Sequence, residues 1–178
     1  MRKVLYVSVV LVAVLFQGCE AISRLTQFHM DYSTSVVVPA STGVNLPFNL
    51  MTPKIESNAE SAMAVNDTRK DMVEEVSLSS LKLTLTSPSN EDFSFLESIS
   101  IFINADGMTE TKVAWKDNVS ATAGSVLELD VTGVDLKEFI LKDEFSLRVH
   151  VVTDEFLASE HQIKVDARFF IDAKILGQ

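Results

Sequence analysis

The chain has 178 residues, 25 acidic against 15 basic side chains for a formal net charge of −10, and one cysteine. An acidic surface with no basic stripe interleaved with aromatics repels phosphate backbones, which excludes nucleic acid as a partner, and it excludes attachment to anionic lipid by charge alone. One cysteine excludes an intrachain disulfide, so stability has to come from packing.

The first element is an apolar run from Val4 to Phe16, preceded by Arg2 and Lys3 and free of charge until Glu20. Basic start, apolar middle and small-residue exit are the layout of a secretory signal. Thirteen helical residues rise roughly 20 Å, well short of the ~30 Å hydrocarbon core, so the run is a targeting segment and not a permanent span. Phe16-Gln17-Gly18-Cys19 follows it and resembles the lipobox of bacterial lipoproteins. Gly18 and Cys19 fit that pattern; Phe16 stands where the family usually has Leu, and Gln17 is bulkier than the family favours. The resemblance implies cleavage before Cys19, lipidation of its thiol and a protein tethered to a membrane. Two or three acyl chains at ~0.8 kcal/mol per buried methylene hold stably where one holds marginally. Glu20, in place of the Asp that often marks inner-membrane retention in this family, implies the outer membrane, on its periplasmic or its surface face. The alternative for the same residues is an ordinary signal peptide cut after Ala21, because Cys19-Glu20-Ala21 also reads as small-x-small.

With residues 1–18 removed, Arg2 and Lys3 leave, and 13 basic residues face 25 acidic ones for a net charge of −12 over 160 residues. The expected organisation is a signal over 1–18, an acylated N-terminus and short stalk over 19–27, and one domain over 28–178.

Signals for β-structure then run almost without a break. "TSVVV" at 34–38 is β-branched and ends at Pro39, and "NLPFNL" at 45–50 follows a turn at Ser41-Thr42-Gly43. Residues 54–71 show neither period and read as a long connection carrying at most a weak helical turn. In "VSLSSLKLTLT", Val76 and Leu78 share one phase while Leu81, Leu83 and Leu85 share the other, a one-residue slip at Ser79-Ser80 that predicts a β-bulge. In "FSFLESISIFIN", Ile99, Ile101 and Ile103 form one face. "TKVAWK" reads as a short strand with Val113 and Trp115 in phase, and "SVLELDV" alternates Leu127, Leu129 and Val131 against Glu128 and Asp130. Asp135 to Leu141 reads as the one helical stretch, with Asp135 as N-cap, Glu138 three residues on, and Leu136, Phe139 and Ile140 at helical spacing. In "HQIKVDARFFIDAKIL", Ile163, Val165, Ala167, Phe169, Ile171, Ala173 and Ile175 oppose Lys164, Asp166, Arg168, Asp172 and Lys174. One-sided strands belong to antiparallel sheets with one packed and one wet face. The fold class expected is all-β: an antiparallel, immunoglobulin-like β-sandwich of about eight or nine strands with one short helical turn, ahead of a closed barrel.

Chemical signals are thin. His29, His150 and His161 occupy no metal spacing and read as solvated strand histidines. Glu74-Glu75, Glu91-Asp92 and Asp143-Glu144 lie among turn or polar residues and read as solvated charges ahead of glycosidase acids. "NADGMTE" at 104–110 offers Asn104, Asp106 and Glu110 as oxygens for calcium but lacks the EF-hand spacing, and a hairpin turn at Gly107 is the better reading. With no nucleophile elbow, phosphate loop or dinucleotide fingerprint, no catalytic, cofactor or metal residue is expected, and Cys19 is the one site residue assigned, for lipidation. Phe102 and Phe170 break the polar phase of their strands. On one sheet face they would make an apolar patch for a protein or glycan; otherwise a loop or the helix at 135–141 covers them. The function expected is a membrane-tethered envelope lipoprotein that binds, scaffolds or spaces without catalysis. The alternatives are an envelope hydrolase or carbohydrate-active enzyme, and a surface fibre or adhesin subunit.

Overall fold

The computed structural model describes residues 27–41 and 46–174, so the leader, Cys19, the Thr42-Gly43 turn and Ile175 lie outside the described residues. Each alternating segment forms a strand: β1 (Gln27–Val38), β2 (Leu46–Met51), β3 (Ile55–Glu56), β4 (Val73–Ser87), β5 (Leu96–Asn104), β6 (Thr111–Asp117), β7 (Val126–Val131), β8 (Glu144–Thr153) and β9 (His161–Ala173). The order is β1-β9-β4-β7-β6-β5-β8-β2, with β3 also on β8, and the pairings are antiparallel. Only two residue pairs, Ala114 with Val131 and Trp115 with Asp130, join β6 to β7. The path therefore folds there into two layers, β1-β9-β4-β7 and β6-β5-β8-β2. The result is an antiparallel, all-β sandwich.

The inner phases of both layers make one core. Along β9 the residues Ile163, Val165, Ala167, Phe169, Ile171 and Ala173 are all buried, as period two requires. The layers meet through Phe145 of β8, whose ring packs edge-on against Tyr32 of β1 at 5.2 Å and at a steep angle to Phe169 of β9 at 6.1 Å. These are favourable orientations for aromatic pairs. The slip expected at Ser79-Ser80 is a register shift between Leu78 and Ser80 against Phe169 and Arg168, and it keeps Leu78 and Leu81 both inside.

Two short α-helices occur among the described residues, one at the helical stretch expected and one in the connection read as carrying at most a weak helical turn. The additional one, α1 (Ala59–Val65), lies in the long connection and buries Ala59 and Met63. With only two of its seven residues in the core, it leaves little periodic trace in the sequence. The expected one, α2 (Lys137–Ile140), buries Phe139 and Ile140, and Leu136 before it is buried too. Asp135 stands one residue ahead of the N-cap position; its carboxylate accepts from Lys137 N at 2.9 Å and from Val76 N at 3.1 Å, tying the helix start to β4.

Candidate functional site

The outer face of β6-β5-β8-β2 is where polar and aromatic side chains are brought into a fixed arrangement. Register places Trp115, Ser100, His150 and Asn49 side by side in one row across the four strands. The adjacent row holds Lys112, Phe102, Arg148 and Met51. Trp115 lies here because of a bulge: the register shifts between Ile101 and Phe102, Val113 and Ala114 are both buried, and the phase of β6 reverses after them. The expected phase of "TKVAWK", with Val113 and Trp115 on one side, is thereby corrected. Trp115 is half-buried on the outer face, and Lys112 Nζ stands 5.4 Å from its ring centre.

Arg148 organises the second row. Its Nε and Nη2 donate to the two carboxylate oxygens of Glu110, each at 2.7 Å, and Nη1 donates to Asn49 Oδ1 at 2.6 Å. The guanidinium carbon lies 4.1 Å from the Phe102 ring centre. Hydrogen bonding to Arg148 holds the Glu110 carboxyl below its ordinary value, and the same bonds raise Arg148. Because arginine only donates, the Asn49 atom facing it is oxygen. His150 Nδ1 meets that same oxygen at 3.0 Å, so Nδ1 carries the proton, and in the neutral ring Nε2 is left as an acceptor. The network fixes the orientation of three side chains and the tautomer of one.

Phe102 and Phe170 do not share a face. Phe170 lies on the outer side of the other sheet, 5.5 Å from the ring of His29, while Arg148 covers Phe102. Neither the crossing loop nor α2 covers Phe102; α2 turns its apolar residues into the core. On that other sheet a groove of about 560 Å³ opens beside the β4 bulge at Ser80, lined by Asp31, Lys82, Glu128, Asp166 and Arg168. Two of its carboxylates are paired: Arg168 donates to Asp31 at 2.7 and 3.1 Å, and Lys164 meets Asp166 at 2.8 Å. Those contacts hold both Asp31 and Asp166 below the ordinary carboxylate value.

His161 is not a solvated histidine. It is 1 % exposed, its Nδ1 bonds the Ser159 carbonyl at 3.0 Å, and its ring packs on Phe95 at 4.5 Å. Its Nε2 faces the Glu91 carboxylate without the alignment of a hydrogen bond. Strand position was the available signal: His161 stands two residues before Ile163, on the inner phase of β9. Glu91 is accordingly partnered, and Asp92 accepts from Ser94 N at 2.9 Å, which holds its carboxyl low. A cleft of about 350 Å³ beside them is lined by Glu91, Asp92, Phe95 and the exposed Phe156. Of the other carboxylate pairs, Glu74 meets Lys174 at 3.4 Å, Asp143 meets Lys70 at 3.7 Å, and Glu144 meets Lys54. Residues 104–110 form the β5–β6 hairpin with Gly107 at φ 73°, and no cluster of three His, Cys, Asp or Glu able to hold a metal occurs among the described residues.

No family model matches the chain, and no curated protein does. Among solved structures, FLHE is similar at 6 % identity over 83 % of this chain and 98 % of its own, with a TM-score of 0.36. Turnip yellow mosaic virus follows at 11 % identity, 85 % and 96 % coverage and 0.33. CpGH89CBM32-5 from Clostridium perfringens, in complex with GalNAc-β-1,3-galactose, gives 10 %, 81 % and 97 %, and 0.33. Likenesses at this level carry no inference about what this chain does.

Proposed function

We propose that the chain is a lipid-tethered protein of a bacterial envelope that works as a binding module and not as a catalyst. The observation that carries the binding half is the Asn49–Arg148–Glu110–His150 network. It fixes donors, acceptors and a ring tautomer on an accessible sheet face, and pre-set polar groups beside an aromatic ring are what recognition requires. The burial of His161 beside Glu91 supports the same reading. His161 is 1 % exposed, with Nδ1 bonded to the Ser159 carbonyl and the ring packed on Phe95, so a substrate does not reach it to exchange a proton.

The tether rests on Phe16-Gln17-Gly18-Cys19. Seven residues lie between Cys19 and Gln27, where β1 begins, and the eight steps between the two span at most ~29 Å when extended. Lipid on Cys19 therefore holds the pole formed by Gln27, Val73 and Ala173 close to the bilayer and directs the Phe156 pole away from it. Fractionation of cells producing the Cys19→Ser variant tests this. The variant is expected in the soluble fraction, and one that still sediments with membranes like the parent refutes the tether.

A further inference from the structure

We propose that the outer face of β6-β5-β8-β2 is a carbohydrate-binding site, taking a neutral, hydroxyl-rich saccharide across the row Trp115, Ser100, His150 and Asn49. The proposal rests on the binding-module reading and is independent of the tether.

A sugar ring has one face of C–H groups and a rim of hydroxyls, each able to donate and accept. Its recognition needs a flat apolar surface with mixed donors and acceptors at the edge. Strands lie about 4.8 Å apart, so the row places a hydroxyl one strand spacing from Trp115, an imidazole two spacings away and an amide three. That reach suits one or two sugar rings lying across the strands. Trp115, half-buried and therefore held, supplies the indole on which the C–H side stacks, displacing the Lys112 ammonium that stands 5.4 Å from the ring centre. Ser100 Oγ offers both roles. The arginine network leaves His150 Nε2 as an acceptor in the neutral ring and Asn49 Nδ2 as a donor, and no described residue takes either atom.

Charge selects among saccharides. Arg148 is neutralised by the carboxylate fork of Glu110, and Lys116 by Asp130 at 3.2 Å. Lys112 keeps its charge beside the indole, a single cation against a strongly acidic protein. An anionic sugar would meet repulsion without a free arginine to offset it, so the ligand is uncharged.

Trp115 is the one tryptophan of the chain, so its fluorescence reports this face alone. The full mature protein is titrated with soluble oligosaccharides of neutral glucans, mannans, galactans and N-acetylhexosamine-containing chains, and with polygalacturonate oligomers as the acidic arm. The expected result is a saturable change in indole emission with at least one neutral series. Trp115→Ala, read by calorimetry, and Asn49→Ala, read by fluorescence, are each expected to weaken binding tenfold or more. Phe156→Ala, at the distal pole, is expected to leave it unchanged. Should a tryptophan variant lose its far-ultraviolet β signal, Ser100→Tyr, which blocks the row from its half-buried outer-face position, replaces it. Emission unmoved by every neutral series, binding confined to the acidic arm, or affinity indifferent to both Asn49→Ala and the row-blocking variant overturns the proposal. A negative result with Cys19 acylated leaves the tether standing, and a positive result with an unmodified thiol leaves the saccharide site standing.

Discussion

Arg148 lies 4.1 Å from the ring centre of Phe102 and is held there by both oxygens of Glu110. The aromatic that breaks the polar phase of β5 is thus covered by a clamped guanidinium, not by a loop. Arg148→Ala is expected to lower stability by about 1–2 kcal/mol, through loss of the cation–π contact and of the packing of its aliphatic stem. Glu110→Gln should cost about 1 kcal/mol or less, because the pair is partly exposed. Urea unfolding of both variants checks the order; equal effects would mean that Phe102 contributes nothing.

Acid should weaken the fold. Glu110, Asp31 and Asp166 are each held low in the folded state by hydrogen bonds to Arg148, Arg168 and Lys164 respectively. Between the folded and unfolded values the unfolded chain binds more protons, so stability rises with pH there. The contribution is present above the ordinary values of 4.5 and 3.8 and is lost as pH falls through the lower folded values. Urea midpoints taken from pH 7 down to 3 should stay level and then drop, and the drop should be shallower in an Asp31→Asn, Glu110→Gln double variant.

Tyr32 carries the opposite sign. Burial raises its phenol far above the ordinary 10.0, and its hydroxyl donates to the Ser57 carbonyl. Above pH 10 the unfolded chain ionises first, so stability declines with further rise in pH. Under the proposed cleavage before Cys19, Tyr6 leaves with the signal and Tyr32 is the one tyrosine that remains. Its phenolate absorbance is expected to appear together with loss of the far-ultraviolet β signal; a separate, earlier ionisation would show that the ring is not buried as described.

Phe169 and Phe170 are neighbours on opposite faces. Phe169 is 1 % exposed and packs on Tyr32 at 5.6 Å, whereas Phe170 lies outside against His29. Phe169→Ala is expected to cost about 3–5 kcal/mol and Phe170→Ala less than about 1 kcal/mol. Thermal or urea unfolding of the pair measures the strand's phase directly.

That phase was legible in the sequence, and so was the β4 slip, because both are period-two signals carried by Leu, Ile and Val. The binding face was legible only in fragments. Trp115 was placed on the wrong side because a bulge erases periodicity at the point where it forms; the adjacent apolar pair Val113-Ala114 before it was the available hint. Glu110 looked like a loop carboxylate, since its partner Arg148 is 38 residues away and only strand pairing brings them together. His161 shares the inner phase of β9 with Ile163 and Val165, but the Phe95 and Glu91 that cover it come from a distant turn and leave no local trace.

The tether is tested most directly by the intact mass and N-terminus of the protein purified from the membranes of its own cells. The account predicts a chain beginning at Cys19 with the added mass of two or three acyl chains on that residue. A bare thiol, or a chain beginning at Ile22, would contradict it.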